Sequence, residues 1–150
     1  LTTTGESSSS SVSVHRKLEA PELISQVDSE LLSSGVAILP GCTDEEGRNL
    51  VYIFTCSSLW HERRVSSTEL ARLLMYYYTV PRKKPRQEGM AIVADIRGVT
   101  PSTVNVLLEA LNLLQENIPG CVAVVHLFAD KNAQSCVIKS PLYDAKSHVN

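Results

Sequence analysis

The feature that most constrains this chain lies between Met90 and Phe128: a short apolar run, a turn, an amphipathic stretch and a second apolar run. Met90 to Ala94 is apolar at consecutive positions, the pattern of a strand covered on both faces. Asp95 ends the run and Gly98 breaks it. Thr100 is placed to cap a helix, and Pro101 suits the first helical position, where a missing N–H costs nothing. Val104, Leu107, Leu108, Leu111 and Leu114 recur at three- and four-residue steps and mark one buried helix face. Pro119-Gly120 stops that helix, and Val122 to Phe128 reads as a second buried strand. A strand–helix–strand unit of this length favours a parallel pair joined by a right-handed crossover. It fixes the class as α/β.

Upstream, Leu23, Ile24, Val27, Leu31 and Leu32 predict a helix over about 21–34, with Gly35 just past its end. Val36 to Leu39 and Leu50 to Phe54 predict two strands joined as a hairpin by the acidic turn Thr43 to Gly47. A second helix begins near Ser66, which has capping-box spacing to Glu69, and carries Leu70, Leu73, Leu74 and Tyr77 on its apolar face. Pro81 ends it. After Phe128 the pattern fades. Cys136 to Ile138 reads as one more short strand, and residues 141–150 have no clear period. The predicted order is α, β, β, α, β, α, β in a mixed sheet.

Composition narrows the function. The net charge of −2 excludes a globally basic nucleic-acid binder, so no nucleic-acid partner is expected. No apolar run approaches the roughly 20 residues of a spanning helix. The four cysteines, Cys42, Cys56, Cys121 and Cys136, make no C-x-x-C pair and no zinc spacing. They read as free thiols of a cytoplasmic protein, and no metal or cofactor is implied. Residues 1–14 are Ser- and Thr-rich, so 1–20 reads as a disordered linker and 21–150 as the folded part. The chain starts at Leu1 and its pattern fades toward the end, so it reads as a piece of a longer protein that stops inside its domain.

Few residues carry candidate chemistry. Asp95 sits at the carboxyl end of a predicted parallel strand, the edge where open α/β sheets gather ligands, with Asp130 after the next strand as its one evident neighbour. That pair frames an alternative, a small α/β enzyme. Asp and Gly are common in turns, which favours Asp95, Arg97 and Gly98 as a strand-to-helix turn. Gly98 to Ser102 matches no nucleotide-binding glycine pattern, and no serine stands in a G-x-S-x-G context. His61 lies beside Trp60, and His126 falls within a predicted buried strand, where a core role outweighs catalysis. Arg82, Lys83, Lys84 and Arg86 put four cations into five positions just after Tyr76 to Tyr78. Such a patch either is a solvated loop or engages phosphoinositides of an anionic membrane surface, at about 1 kcal/mol per cation, or an acidic partner.

From Gly35 to Asp130 the chain resembles the amino-terminal half of a CRAL-TRIO lipid-binding domain. The variant is the one found in large Dbl-family Rho guanine nucleotide exchange factors. The resemblance rests on Val36-Ala-Ile-Leu-Pro-Gly41, the strand Leu50 to Phe54, the helix Leu70 to Tyr78, Ile92-Val-Ala-Asp-Ile-Arg-Gly98 and Leu113-Leu-Gln-Glu-Asn-Ile-Pro119. It implies a CRAL-TRIO-like mixed or parallel sheet flanked by helices, truncated at its carboxyl end. It also implies a non-catalytic lipid- or protein-binding module that targets or restrains exchange domains carried elsewhere. The partners it implies are an anionic phospholipid surface, with Arg82, Lys83, Lys84 and Arg86 on the headgroups, or the Dbl-homology, pleckstrin-homology or spectrin-repeat segments of the parent protein. A Rho-family GTPase is reached only through that parent. The location implied is cytoplasmic, peripheral at membranes. A third reading is a pure protein–protein interaction domain.

Overall fold

The computed structural model describes residues 17–62, 64–81 and 88–138. Four strands form one sheet in the order β1-β2-β3-β4: β1 Ala37–Ile38, β2 Asn49–Ile53, β3 Met90–Asp95 and β4 Val122–Phe128. β1 and β2 are the expected hairpin, antiparallel with Ala37 opposite Ile53. β2, β3 and β4 run parallel. The helices are α1 Ser29–Ser33, α2 Ser58–His61, α3 Ser67–Thr79, α4 Pro101–Asn117 and α5 Lys131–Ile138. The fold is α/β, with a mixed sheet flanked by helices.

Two successive parallel crossovers advancing in one direction, each right-handed, place α3 and α4 on the same side of the sheet. The burial pattern agrees. Val51, Ile53, Ile92 and Ala94 join one core with Leu70, Leu73 and Leu74 of α3 and Leu107, Leu111 and Leu114 of α4. Fully burying each leucine contributes about 1.5–3 kcal/mol, so this layer carries most of the stability. α3 packs on α4, with α1 and α5 flanking them. The Tyr77 hydroxyl donates to the Ala37 carbonyl at 2.9 Å and ties α3 to the hairpin.

Local signals explain the helix ends. The Thr100 side chain accepts from the Thr103 N–H, and Pro101 opens α4 as expected. Gly89 has φ +81, and a Cβ there would lie 3.0 Å from the Gly120 carbonyl and 3.1 Å from the Ala123 Cβ. No other residue fits without movement. Ala123 is the extra residue of a bulge, since Met90 faces Val122 and Ala91 faces Val124.

Four expectations need correction, and one element was not expected. The helix over 21–34 is a 3-10 turn, Ile24–Gln26, followed by the short α1. The Gln26 side chain closes the turn by accepting from Glu22 and Leu23 N–H, and Asp28 starts α1 afresh by accepting from Leu31 N–H. Leu23 and Ile24 are consequently exposed while Val27 and Leu31 are buried. Ser66 precedes α3 but makes no side-chain cap, and the Glu69 side chain pairs with Arg72. β4 is an edge strand of this sheet and is half-exposed along its length, so His126 is exposed rather than a core histidine. Cys136 to Ile138 belongs to α5, whose buried Ala133 and Val137 have helical spacing. Finally, α2 around Trp60 was not anticipated; it is too short to show a period.

The Ser-rich residues 1–16, the basic run at 82–87 and residues 139–150 lie outside the described residues.

Candidate functional site

Strand alternation sends every second residue to the side of the sheet away from α3 and α4. On β2 these are Leu50, Tyr52 and the following Phe54; register pairs Leu50 with Ala91 and Tyr52 with Val93. On β4 they are Val124, His126 and Phe128. This face is mostly apolar, and no described helix covers it: Phe54 is 40% and Phe128 45% exposed. Tyr52 and Phe54 lie with ring centroids 6.4 Å apart.

Where β2, β3 and β4 end, the face opens into a groove with two lobes. The first, of about 450 Å³, is lined by Tyr52, Phe54, Val93 and Phe128, with Asp95 and Arg97 at its rim. The second, of about 410 Å³, is lined by Trp60, His61, Thr100, Ser102 and Thr103. Thr55, Cys56 and Arg97 line both and join them. The first lobe is greasy; the second presents hydroxyls and a cation.

The groove's frame is hydrogen-bonded throughout. Thr55 Oγ1 donates to the Asp95 carbonyl at 2.6 Å, locking the end of β2 to the end of β3. Ile96 N–H donates to the Phe128 carbonyl at 2.8 Å and extends the ladder to β4. Trp60 Nε1–H donates to the Phe54 carbonyl at 2.9 Å, which seats α2 beside the strand ends. Asp95 Oδ1 accepts from the Arg97 N–H at 3.1 Å, the turn role its position suggested. Its carboxylate also takes two bonds from the Arg97 guanidinium, at 3.0 and 2.7 Å. The Arg97 guanidinium lies 5.9 Å from the centroid of the Phe128 ring.

Asp130 lines neither lobe but is tied to Gly98, which lines the second. It accepts from Gly98 N–H at 2.7 Å and from Ala133 N–H at 2.9 Å, so it fixes the turn and caps α5. The hydrogen bond from Arg97 holds the Asp95 carboxyl below its usual range. The bonds from Ala133 and Gly98 N–H do the same for Asp130. Both are therefore ionised at neutral pH with their oxygens engaged. That arrangement suits architecture and not a general acid, which needs a raised pKa. Among the described residues, no group of three His, Cys, Asp or Glu side chains has the geometry to hold a metal.

The sequence-predicted residues thus divide. Asp95, Arg97 and Gly98 line the groove, and Asp130 bonds to Gly98 from outside it. Tyr77 is buried in the helical layer, and burial pushes its phenol up. His126 lies on the open face opposite Val93 and lines neither lobe. Arg82, Lys83, Lys84 and Arg86 are outside the described residues. Tyr52, Phe54, Thr55 and Phe128 were not foreseen as groove residues, although alternation along Leu50 to Phe54 carried the signal.

Residues 32–129 match the model of the CRAL/TRIO domain. The chain belongs to the CRAL/TRIO family. It is 37% identical over 115 residues to human pleckstrin homology domain-containing family G member 4B, covering 77% of this chain. It is 40% identical over 98 residues to human puratrophin-1, covering 65% of the chain. It is 35% identical over 102 residues to the mouse uncharacterized protein KIAA1755 homolog, covering 68%. The matched stretch is only 7% of the first relative's length and 8% of the other two. A CRAL/TRIO domain of this kind is thus a small part of much longer chains. Among the described residues no helix is long and apolar enough to cross a membrane.

Proposed function

We propose that this domain is a non-catalytic regulatory module of a Rho guanine nucleotide exchange factor. It holds a lipid on its open sheet face, and it targets or restrains exchange domains elsewhere in the parent chain. The observation that carries the reading is the amphipathic groove at the strand ends, floored by Tyr52, Phe54, Val93 and Phe128. Apolar pockets with a few convergent polar groups are the usual form of small-molecule sites. Family membership and the pleckstrin-homology name of one relative support the exchange-factor context. The basic run Arg82, Lys83, Lys84 and Arg86 supplies the attraction to an anionic membrane in this reading.

Sedimentation with phosphoinositide-containing vesicles beside neutral vesicles, at low and physiological salt, tests it. Salt-sensitive binding to the anionic vesicles, abolished by charge reversal at those four positions, is the expected result. Equal binding by the charge-reversed chain would remove the basic run from the mechanism. No binding from a folded chain would leave a protein-interaction domain instead.

A further inference from the structure

Resting on the reading of the groove as a lipid site, we propose that Arg97 is the residue by which this domain selects a ligand with an anionic phosphate head over one with a neutral head. Three observations converge. The two lobes have unlike linings and meet at Thr55, Cys56 and Arg97, so an apolar tail in the first lobe brings its head group to Arg97. Among the described residues, Arg97 is the only arginine or lysine that lines either lobe. Its guanidinium is also held in place from two directions, by the paired bonds to Asp95 and by the ring of Phe128.

That hold orients the guanidinium without exhausting it. Asp95 takes one N–H on Nε and one on Nη2, two of the five a guanidinium carries. Three remain, in the planar fork that matches phosphate oxygens. Asp95 lines the apolar lobe and not the polar one, so a head group in the polar lobe meets the cation before the carboxylate. The Thr103 hydroxyl lines the same lobe and, accepting from Thr100 Oγ1 at 3.1 Å, keeps its own proton to donate. The head is a phosphate monoester on a single alkyl chain in its simplest form, and the tail is what separates it from free phosphate.

The chain's one tryptophan, Trp60, lines the polar lobe and reports on it. We would titrate the intact chain with decyl phosphate, decanol and inorganic phosphate, reading Trp60 fluorescence and, in parallel, heat by calorimetry. The expected result is decyl phosphate binding about tenfold or more tighter than either decanol or inorganic phosphate, the scale of a charged hydrogen bond. Arg97→Gln should collapse the preference over decanol, and Arg97→Lys should restore part of it. Circular dichroism checks that each variant is folded. Equal affinity for decyl phosphate and decanol, or a preference that survives Arg97→Gln, overturns the assignment of Arg97 while leaving the groove a lipid site. Inorganic phosphate binding as tightly as decyl phosphate overturns the selection of an amphiphile. If neither decyl compound gives a signal or heat, the reading of the groove as a lipid site fails, and the selection by Arg97 with it.

Discussion

On one side of the sheet, Val51, Ile53, Ile92 and Ala94 are at most 3% exposed, sealed into a core with the leucines of α3 and α4. On the other side, Phe54 and Phe128 keep more than a third of their surface in contact with solvent, and Tyr52 and Val93 are half-buried. Both sides are mostly apolar. What separates them is the connection rule: successive right-handed crossovers spend both long helices on one side. The covered side makes the fold stable. The uncovered side, which contributes less to stability, is available for a ligand.

The largest test of that contrast is a pair of core and surface truncations. Ile92→Ala should lower the free energy of unfolding by about 2–5 kcal/mol. Phe128→Ser should change it by about 0.5–1 kcal/mol, since the ring is already half in solvent. Urea titrations of the two variants decide it; equal losses would mean that the open side is also structural core. The glycines flanking the two ends of β3 give a smaller test. Gly98→Ala meets open space and only the strain of φ +70, about 1–2 kcal/mol. Gly89→Ala adds contact with the Gly120 carbonyl to a similar φ and should lose more stability in the same titration.

The smallest expected effect is acidic. Asp95 and Asp130 both titrate lower in the folded chain than free carboxyls do. Their stabilisation is thus fully present above the ordinary carboxylate pKa of about 4. It disappears as pH falls through their lowered folded values. Both groups are exposed, and solvent screens the gain. An Asp95→Asn, Asp130→Asn double variant should accordingly lose slightly less stability than the parent chain on acidification. An identical pH profile in the two proteins would show that these carboxylates contribute nothing as charges.

How much of this was legible in the sequence depended on whether a signal was local. The hairpin, α3, β3 and α4 were readable, because capping, periodicity and turn residues act within a few positions. The Asp95–Arg97 turn was readable for the same reason. β4 looked as buried as β3 because both are apolar runs, and only strand order reveals that, among the described residues, β4 has a neighbour on one side alone. The helix over 21–34 failed where the Gln26 and Asp28 side chains reach back to the backbone, a choice that periodicity does not encode. The groove itself was half legible. Asp95 marked the strand end, but Phe128 and Trp60 arrive from elements distant in sequence.

The central claim is that the ligand lies at the strand ends on the uncovered side, and two exposed thiols test it within one chain. Cys56 lines both lobes of the groove, whereas Cys42 lines neither, and Cys121 is buried with its thiol pushed up to about 12 by that burial. Alkylation can be followed residue by residue by mass spectrometry, with and without phosphoinositide-containing vesicles. The account predicts that the vesicles slow modification of Cys56 severalfold and leave Cys42 unchanged, with Cys121 unreactive throughout. Equal protection of Cys42 and Cys56, or protection of neither by vesicles that bind the chain, would place the ligand elsewhere and contradict it.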